Sequence, residues 1–285
     1  MTRAEPSRVG GLSGRRPAAH GQGAAGRASV STLLQLIRVE YCLLGALGVV
    51  AGAFLNGLLR PTAELAQTVL AVFFVAAGCY AFDDYFDVNA DLANGRRDRP
   101  LVAGLRDRRS ALVVGAVALA LAAIAAMAAG PIVLAVVVGG GMAALVYNRW
   151  MQRAYPVKNL LLAGAFPAPL IMGGLSGADA LSPALVWCCA VAYVVGLGFE
   201  VMIDIADVEG DRASGVDTLS TRRGASAASR VAAAGFGVAA VMLLLPFALR
   251  VDARLYLDVP YLLLATTSVV GALHIGRSIL SDQSP

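Results

Sequence analysis

The sequence predicts an all-α integral membrane protein, a bundle of eight or nine transmembrane helices, and three observations support that fold class. Hydrophobic residues make up 58% of the 285 positions and charged residues only 15%, whereas a soluble domain is roughly 25% charged. The apolar residues lie in long continuous runs, and a helix needs about 20 such residues to cross a bilayer. Barrel strands would instead be short and alternate in polarity, so helices, which satisfy their own backbone hydrogen bonds, are predicted.

Eight apolar runs follow one another along the chain and are the predicted spans. They cover residues 33–57, 64–86, 110–129, 131–148, 158–176, 183–205, 226–249 and 258–277. The third and fourth runs meet at Gly130 and Pro131, a pair that favours a tight turn. The fifth run contains Pro167 and Pro169, which a span tolerates where neighbouring helices satisfy the freed backbone groups.

Residues 1–30 differ from the rest and are predicted to form a disordered cytoplasmic tail. They are rich in Gly, Ala, Arg, Ser and Pro and contain no apolar run. That composition excludes a signal peptide and is typical of disorder. Residues 31–285 are then a single transmembrane domain.

Basic residues are distributed unequally between the two predicted membrane faces. With the tail on one side, 20 of the 23 basic residues fall on that side, and only Arg60, Arg250 and Arg254 fall on the other. Because basic loops remain cytoplasmic, the N-terminus is predicted to be cytoplasmic and the chain to lie in the cell inner membrane. The net charge of +4 indicates no nucleic-acid partner, since basic loops at a membrane face attract anionic membrane lipids.

Two acidic stretches interrupt this apolar chain. FDDYFDVNAD (82–91) ends the second predicted span, and DIADVEGD (204–211) ends the sixth, about 120 residues later. Three aspartates in each stretch are separated by three and four residues, which places them on one face of a helix. The chain crosses the membrane four times between the stretches, so both emerge on the cytoplasmic side and can face one central cavity that opens there.

Carboxylates clustered in this way either take up protons or hold a cation. Neither His nor Cys lies beside them, so a hard cation with oxygen ligands is predicted, Mg²⁺ or alternatively Mn²⁺. The predicted metal ligands are Asp83, Asp84, Asp87, Asp91, Asp204, Asp207 and Asp211, of which Asp84, Asp87, Asp207 and Asp211 are also predicted to be catalytic. A solvated acidic surface is the alternative, but two matched clusters at one membrane edge argue against it.

Basic residues in the loops on the same side indicate that the metal would bind an anionic, phosphate-containing substrate. Mg²⁺ often completes its ligand shell with phosphate oxygens, and it can neutralise the charge of a departing diphosphate. The cations predicted to bind that diphosphate are Arg97, Arg99, Arg149, Lys158 and Arg212.

The two acidic motifs resemble those of the UbiA superfamily of intramembrane prenyltransferases. That family carries an N-D-x-x-D-x-x-x-D motif after its second helix and a D-x-x-x-D-type motif after its sixth. The matching segments here are DDYFDVNAD (83–91), followed by RDRPLVAG (97–104), and DIADVEGD (204–211), followed by GVDTL (215–219). Residues 38–55 resemble the family's first helix, so the resemblance covers nearly all of the chain after the tail.

The resemblance implies a Mg²⁺-dependent prenyltransferase. A polyprenyl diphosphate would lose diphosphate, and an aromatic or lipid-like acceptor would attack the allylic carbocation. A dry cavity between helices protects such a cation from water, and aromatic faces attract it. The residues expected beside the cation or the acceptor are Tyr85, Tyr147 and Glu200.

The wording of the motifs is most similar to the geranylgeranylglyceryl phosphate geranylgeranyltransferase branch, with departures that keep alternatives open. Asp83 stands where the family usually has Asn, and Phe199 stands where that branch tends to have Arg before the residue that is Glu200 here. Without that Arg, a membrane terpene cyclase of the same superfamily is an alternative. An ion transporter would place its carboxylates near the bilayer midplane, and a CDP-alcohol phosphotransferase would need one contiguous aspartate motif, so neither fits as well.

Overall fold

The computed structural model describes residues 30–58, 60–146, 154–178 and 180–281, and every secondary-structure element within those ranges is a helix. The predicted all-α fold class is therefore confirmed. The predicted tail lies outside the described residues, apart from Val30, which begins the first helix.

The helices are α1 (Val30–Leu36), α2 (Val39–Leu55), α3 (Ala63–Ala93), α4 (Arg108–Ala129), α5 (Pro131–Val146), α6 (Val157–Ala163), α7 (Ala168–Leu175), α8 (Pro183–Ala206), α9 (Val208–Ser214), α10 (Leu219–Arg223), α11 (Ala225–Ala248) and α12 (Val259–Ser281). Three of the long helices begin at a capping side chain. Thr62, Asp107 and Ser182 each accept a hydrogen bond from the backbone N–H three residues later, at the start of α3, α4 and α8. Each cap satisfies one of the free N–H groups of a helix N-terminus.

The first predicted span is a bent pair, in which α1 and α2 meet at 59°. Arg38 lies at the bend with a φ of 47°, in the left-handed region that residues other than glycine rarely adopt. Its guanidinium is held from outside the pair, by Asp84 and by the ring of Tyr80 at 4.7 Å. The bend therefore directs a cation towards α3.

Six segments of the described residues are long and apolar enough to cross a membrane, namely α3, α4, α8, α11, α12 and the segment Val157–Leu175 that contains α6 and α7, and the number is seven if the bent pair counts as one span. The fifth predicted span contains a break between α6 and α7, close to Pro167. The fourth corresponds to α5, whose 16 residues extend only about 24 Å at 1.5 Å per residue. That is less than the roughly 30 Å hydrocarbon core, and residues 147–153 lie outside the described ranges. A multi-pass membrane protein is thus established, while the number of eight or nine spans stays a prediction.

Glycine allows two helix backbones to touch where α2 crosses α7. A Cβ added to Gly173 would lie 1.8 Å from the Val49 carbonyl oxygen, and one added to Gly52 would lie 2.0 Å from the Leu170 carbonyl oxygen. Close approach at small residues is the usual way for membrane helices to gain packing energy. Elsewhere α3 packs along α4, and α11 packs between α8 and α12.

The outer surfaces of the long helices are apolar. On α12, Leu263, Leu264 and Val270 are each more than 60% exposed, and Leu44 and Leu47 of α2 are exposed to the same degree. A soluble protein of this size would not leave so many large side chains in water. Exposed apolar faces of this kind suit contact with lipid.

Polar side chains join the helices at the end of the bundle remote from the acidic stretches. Asn56 donates to the Gly174 and Ala180 carbonyls and accepts from the Ser182 backbone N–H. Asp252, between α11 and α12, accepts from the backbone at the start of α8. These bonds connect α2, α7, α8 and α11 at one end and leave the other end for the acidic stretches.

Candidate active site

The two acidic stretches lie at the same end of the bundle, where α3 packs against α9. The first stretch occupies the last turns of α3, which ends at the C-cap Asn94. The second stretch begins in the last turn of α8, passes through Asp207, which separates α8 from α9, and continues along α9. Carboxylates that are about 120 residues apart in the chain therefore face one region.

Asp84 is buried, with only 1% of the residue exposed. Its Oδ1 accepts a hydrogen bond from Arg38 Nη2 at 2.7 Å and lies 3.6 Å from Arg99 Nη1. Its Oδ2 is also buried but receives no hydrogen bond. A buried oxygen without a donor costs free energy, so this oxygen favours a bound cation.

Asp204 of α8 is equally buried and is paired with α6. Lys158 Nζ lies 2.6 Å from its Oδ1, and Asn159 Nδ2 donates to its Oδ2 at 2.8 Å. Lys158 is the only lysine of the chain and is 9% exposed. A buried charge must be paired and hydrogen-bonded, and adjacent residues of α6 supply both partners of Asp204.

Asp207 joins the second acidic stretch to the end of α3. Its Oδ1 accepts from Arg96 Nη2 at 2.9 Å and from Asn94 Nδ2 at 3.3 Å. Asn94 also accepts, through Oδ1, from the backbone N–H of Gly210 at 2.6 Å. The loop after α3 thus holds the α8–α9 junction by three hydrogen bonds.

Asp211, in the second acidic stretch, also has a carboxylate oxygen without a hydrogen-bond partner. Its Oδ2 is buried and receives no hydrogen bond. Burial raises the pKa of Asp211 to about 6, the Lys158 ammonium lowers it in part, and the carboxylates of Asp204, Asp207 and Asp87 add to the rise. Several carboxylates therefore affect one another here, and a cation among them would lower their mutual repulsion.

The other three acids of the first stretch are half-buried along the same end of α3: Asp83, Asp87 and Asp91. Asp91 feels the charges of Arg99 and Arg96 as well as those of Asp84 and Asp87. The first stretch is therefore a continuous acidic face with arginines along it.

The donor set fits a hard cation that retains part of its water or phosphate shell. Among the described residues, no three His, Cys, Asp or Glu side chains converge closely enough to enclose a metal ion by themselves. Mg²⁺ commonly uses only one or two carboxylates and takes its remaining ligands from water and substrate phosphates. The free Oδ2 atoms of Asp84 and Asp211, one in each stretch, meet that requirement.

Of the five predicted diphosphate ligands, two lie among the acids and two are at the surface nearby. Lys158 and Arg99 contact Asp204 and Asp84. Arg97 and Arg212 are exposed, in the loop after α3 and in α9. Arg149 lies outside the described residues, as does the predicted cavity residue Tyr147.

Tyr85 and Glu200 occupy different surroundings. Tyr85 packs against the cluster that includes Leu36 and Leu101, and the Arg108 guanidinium lies 4.8 Å from its ring centroid. One face of the ring is thus already taken by a cation of the protein. Glu200 is buried on α8, one turn before Asp204, and it feels the charge of Lys158.

Sequence reasoning missed four side chains that hold the acids in place: Arg38, Asn94, Arg96 and Asn159. One of them carried a signal. Asn94 continues the stripe of Asp84, Asp87 and Asp91 by a further three residues, so it lies on the same helix face. The others depend on contacts between segments distant in sequence, for which no spacing rule exists.

Comparison with known proteins extends the agreement in motifs to most of the chain. The model of the UbiA prenyltransferase family matches residues 42–283. A digeranylgeranylglyceryl phosphate synthase of Methanopyrus kandleri is 33% identical over 215 residues, which are 75% of this chain and 78% of that protein. The synthase of the same name from Methanosarcina barkeri is 29% identical over 275 residues, 90% of this chain and 92% of that protein.

Solved structures share the fold at lower sequence identity. A structure described as giving insights into digeranylgeranylglyceryl phosphate synthase in membranes has a TM-score of 0.64 and 22% identity, and the match covers 89% of this chain and 88% of that one. A UbiA homologue from Archaeoglobus fulgidus bound to GPP and Mg²⁺ has a TM-score of 0.63 and 16% identity, with 88% and 87% covered. Since the family model spans most of the chain and relatives align over three quarters of it or more, this protein belongs to the UbiA prenyltransferase family.

Proposed function

We propose that this protein is a Mg²⁺-dependent membrane prenyltransferase that ionises an allylic polyprenyl diphosphate and transfers the prenyl group to an acceptor, releasing diphosphate. Mn²⁺ would serve in place of Mg²⁺, since both accept an all-oxygen ligand set. One observation carries the proposal. Two acidic segments distant in sequence meet at one end of the bundle, and each presents a buried carboxylate oxygen that lacks a donor, Oδ2 of Asp84 and Oδ2 of Asp211.

The carboxylates proposed to hold Mg²⁺ are those of the two stretches, Asp83, Asp84, Asp87, Asp91, Asp204, Asp207 and Asp211. The metal would supply neutralisation of the charge that develops on the departing diphosphate. Within the chain itself, Lys158 and Arg99 lie beside the acids, where they can bind phosphate oxygens. Arg guanidinium and Lys ammonium are the usual protein partners of phosphate.

Exclusion of water is the second task of the protein, because an allylic cation reacts with water. Apolar side chains surround the buried end of α8 next to Asp204. Val201 and Ile205 pack with Leu219 of α10 and with Ala228 and Ala232 of α11. The diphosphate would thus leave from a polar site, and the apolar core beside that site would keep water away from the cation.

For the acceptor we propose a lipid-like molecule of the glycerophosphate class. Relatives that align over most of this chain are named digeranylgeranylglyceryl phosphate synthases, and this supports such an acceptor. An anionic headgroup needs cations. Arg38 and Arg99 at Asp84, and Arg96 at Asp207, are the guanidinium groups nearest to the acids.

A terpene cyclase is the second candidate, and an aromatic pair favours it. Phe199 lies edge-on to Phe166, with ring centroids 5.6 Å apart, one residue before the buried Glu200. An aromatic pair offers apolar and π surface to a carbocation but no charge to an anionic acceptor. In a cyclase, double bonds of the same prenyl chain would attack the cation and close rings, and the last cation would lose a proton to give a hydrocarbon or take up water to give an alcohol.

The proposal also places the acidic end of the bundle at the cytoplasmic face of the cell inner membrane, with the N-terminus on the same side. The distribution of arginine supports this orientation. Arg96, Arg97, Arg99 and Arg212 all belong to this end, whereas Arg250 and Arg254 follow α11 at the other.

The test uses the purified protein in lipid vesicles with geranyl, farnesyl or geranylgeranyl diphosphate and Mg²⁺, each with and without glycerophosphate lipids and aromatic acceptors. Released pyrophosphate and organic extracts are both measured. Asp211→Asn is expected to reduce pyrophosphate release by roughly 100-fold or more, the scale on which transition-state charge stabilisation acts. Asp217→Asn is the matched control, because Asp217 is half-exposed and pairs only with Arg222 among the ion pairs of the described residues.

Each outcome assigns a reaction. Release that needs an acceptor and yields a prenylated lipid supports the transferase with the proposed acceptor, and a prenylated aromatic product moves the acceptor to the other class. Release without any acceptor, with a hydrocarbon or terpene alcohol as product, identifies a cyclase. Unchanged release by Asp211→Asn would refute the proposed metal site.

A further inference from the structure

Asn94 forms hydrogen bonds both to Asp207, at the junction of α8 and α9, and to the backbone of α9. Its Nδ2 lies 3.3 Å from Asp207 Oδ1, and its Oδ1 accepts from the Gly210 backbone N–H at 2.6 Å. The orientation of the amide is determined by chemistry. A backbone N–H can only donate and a carboxylate can only accept, so Oδ1 must face Gly210 and Nδ2 must face Asp207.

The contact between Asn94 and Gly210 depends on the size and charge of both residues, so substitutions at either position are expected to break it. A Cβ on Gly210 would lie 2.4 Å from Asn94 Nδ2, so a larger residue at position 210 would displace the Asn94 amide from this contact. Asp at position 94 would have the right shape, but it would set a second carboxylate against Asp207. Ala at position 94 would remove both hydrogen bonds and leave Arg96 as the remaining partner of Asp207 in this loop.

We propose that Asn94 is a positioning residue, which sets the distance and orientation of the second acidic stretch relative to the first so that both can bind one metal–diphosphate group. This inference rests on the proposed function. Asn94 itself contacts no substrate in this role; it acts through Asp207 and through the backbone of Gly210. Loss of such an orienting hydrogen bond typically lowers metal affinity 10- to 100-fold.

The experiment measures binding as well as turnover. The probe is Mg²⁺ with inorganic pyrophosphate, and the readout is the Mg²⁺ concentration that gives half of the maximal rise in the thermal unfolding midpoint of the protein in detergent. Turnover at saturating Mg²⁺ is measured in parallel with the prenyl diphosphate that the wild-type protein uses. The variants are Asn94→Ala, Asn94→Asp and Gly210→Ala, and the control is Asn89→Ala, because Asn89 is an exposed residue of the same helix.

Asn94→Ala is expected to raise the half-maximal Mg²⁺ concentration at least about 10-fold, while saturating Mg²⁺ restores much of the turnover. Gly210→Ala is expected to give the same shift, and the double variant no more than either, because both changes break one contact. Asn94→Asp is expected to be worse than Asn94→Ala, since it adds a charge that repels Asp207.

Two results would overturn the inference. The first is an Asn94→Ala protein that unfolds at lower temperature but keeps the wild-type Mg²⁺ dependence, which would show a structural role only. The second is an Asn94→Asp protein that binds Mg²⁺ better than Asn94→Ala. The shape of the side chain at position 94, rather than its charge relative to Asp207, would then determine the Mg²⁺ affinity. A wild-type protein that releases no pyrophosphate from any substrate would instead contradict the proposed function, so the two failures are distinguishable.

Discussion

The buried ion pair between Lys158 and Asp204 allows a direct test of the site without any substrate. We consider Lys158→Met, which keeps an unbranched side chain one heavy atom shorter and removes the charge. Asp204 is only 1% exposed, and it would keep the hydrogen bond from Asn159 but lose the ammonium at 2.6 Å. Removal of one partner of a buried pair costs about 3–5 kcal/mol, and the remaining hydrogen bond places the expected loss near the lower limit, about 3 kcal/mol.

A double variant separates the cost of an unpaired charge from the cost of altered packing. Lys158→Met combined with Asp204→Asn removes both charges, and buried ion pairs can often be replaced by neutral residues with little loss. We therefore expect the free energy of unfolding of the double variant to lie within about 1 kcal/mol of that of the wild-type protein. Two contacting residues are expected to show such non-additivity.

The assay is thermal unfolding in detergent without Mg²⁺, followed by the helix circular dichroism signal at one heating rate. A loss of about 3 kcal/mol should lower the midpoint by about 6–12 °C at roughly 2–4 °C per kcal/mol, the range for about 150–250 residues, and the shift should lie toward the smaller end for the 285 residues of this chain. Arg222→Met is the control, because its 2.7 Å pair with Asp217 is about half exposed and such pairs contribute about 1 kcal/mol or less. If the double variant were as unstable as the sum of the single variants, the explanation by an unpaired buried charge would be wrong.

Two further predictions concern regions away from the acids. Gly173→Ala should lower the free energy of unfolding by roughly 2–3 kcal/mol or more, because its Cβ would overlap the Val49 carbonyl oxygen and only separation of α2 from α7 relieves that overlap. Gly237→Ala is the control and should be neutral or stabilising, because a Cβ there would meet no atom within 4 Å. Equal losses of stability in the two variants would contradict the packing argument. The pKa of Asp252 is lowered to about 2 by hydrogen bonds from Arg254 and from the start of α8, so the ionised group stabilises the fold above about pH 4 and that contribution disappears as pH falls through 2. The midpoints of the wild-type and Asp252→Asn proteins should therefore converge between pH 5 and pH 2, and a gap that stays constant over this range would refute the assignment.

The outline of the site was accessible from short-range patterns. Asp84, Asp87 and Asp91 share a helix face because their spacing follows the helical repeat, and the same rule extends to Asn94. Lys158 and Arg99, expected near a diphosphate, lie beside acids of the two stretches. For Tyr85 the motif predicts a place at the cavity, and only the packed structure adds that the Arg108 guanidinium lies over one face of its ring.

The amino-acid sequence by itself is enough to predict the membrane fold, the two acidic motifs and their placement at one membrane face, because hydropathy, helical spacing and charge asymmetry are properties of local segments. Only the packed helices decide which carboxylate oxygens are paired and which are free. Arg38 reaches Asp84 across 46 positions, and Asn94 reaches Asp207 across 113. Such contacts exist because α1–α2 bends toward α3 and because α9 packs against the end of α3, and both are consequences of three-dimensional packing that no sequence period encodes.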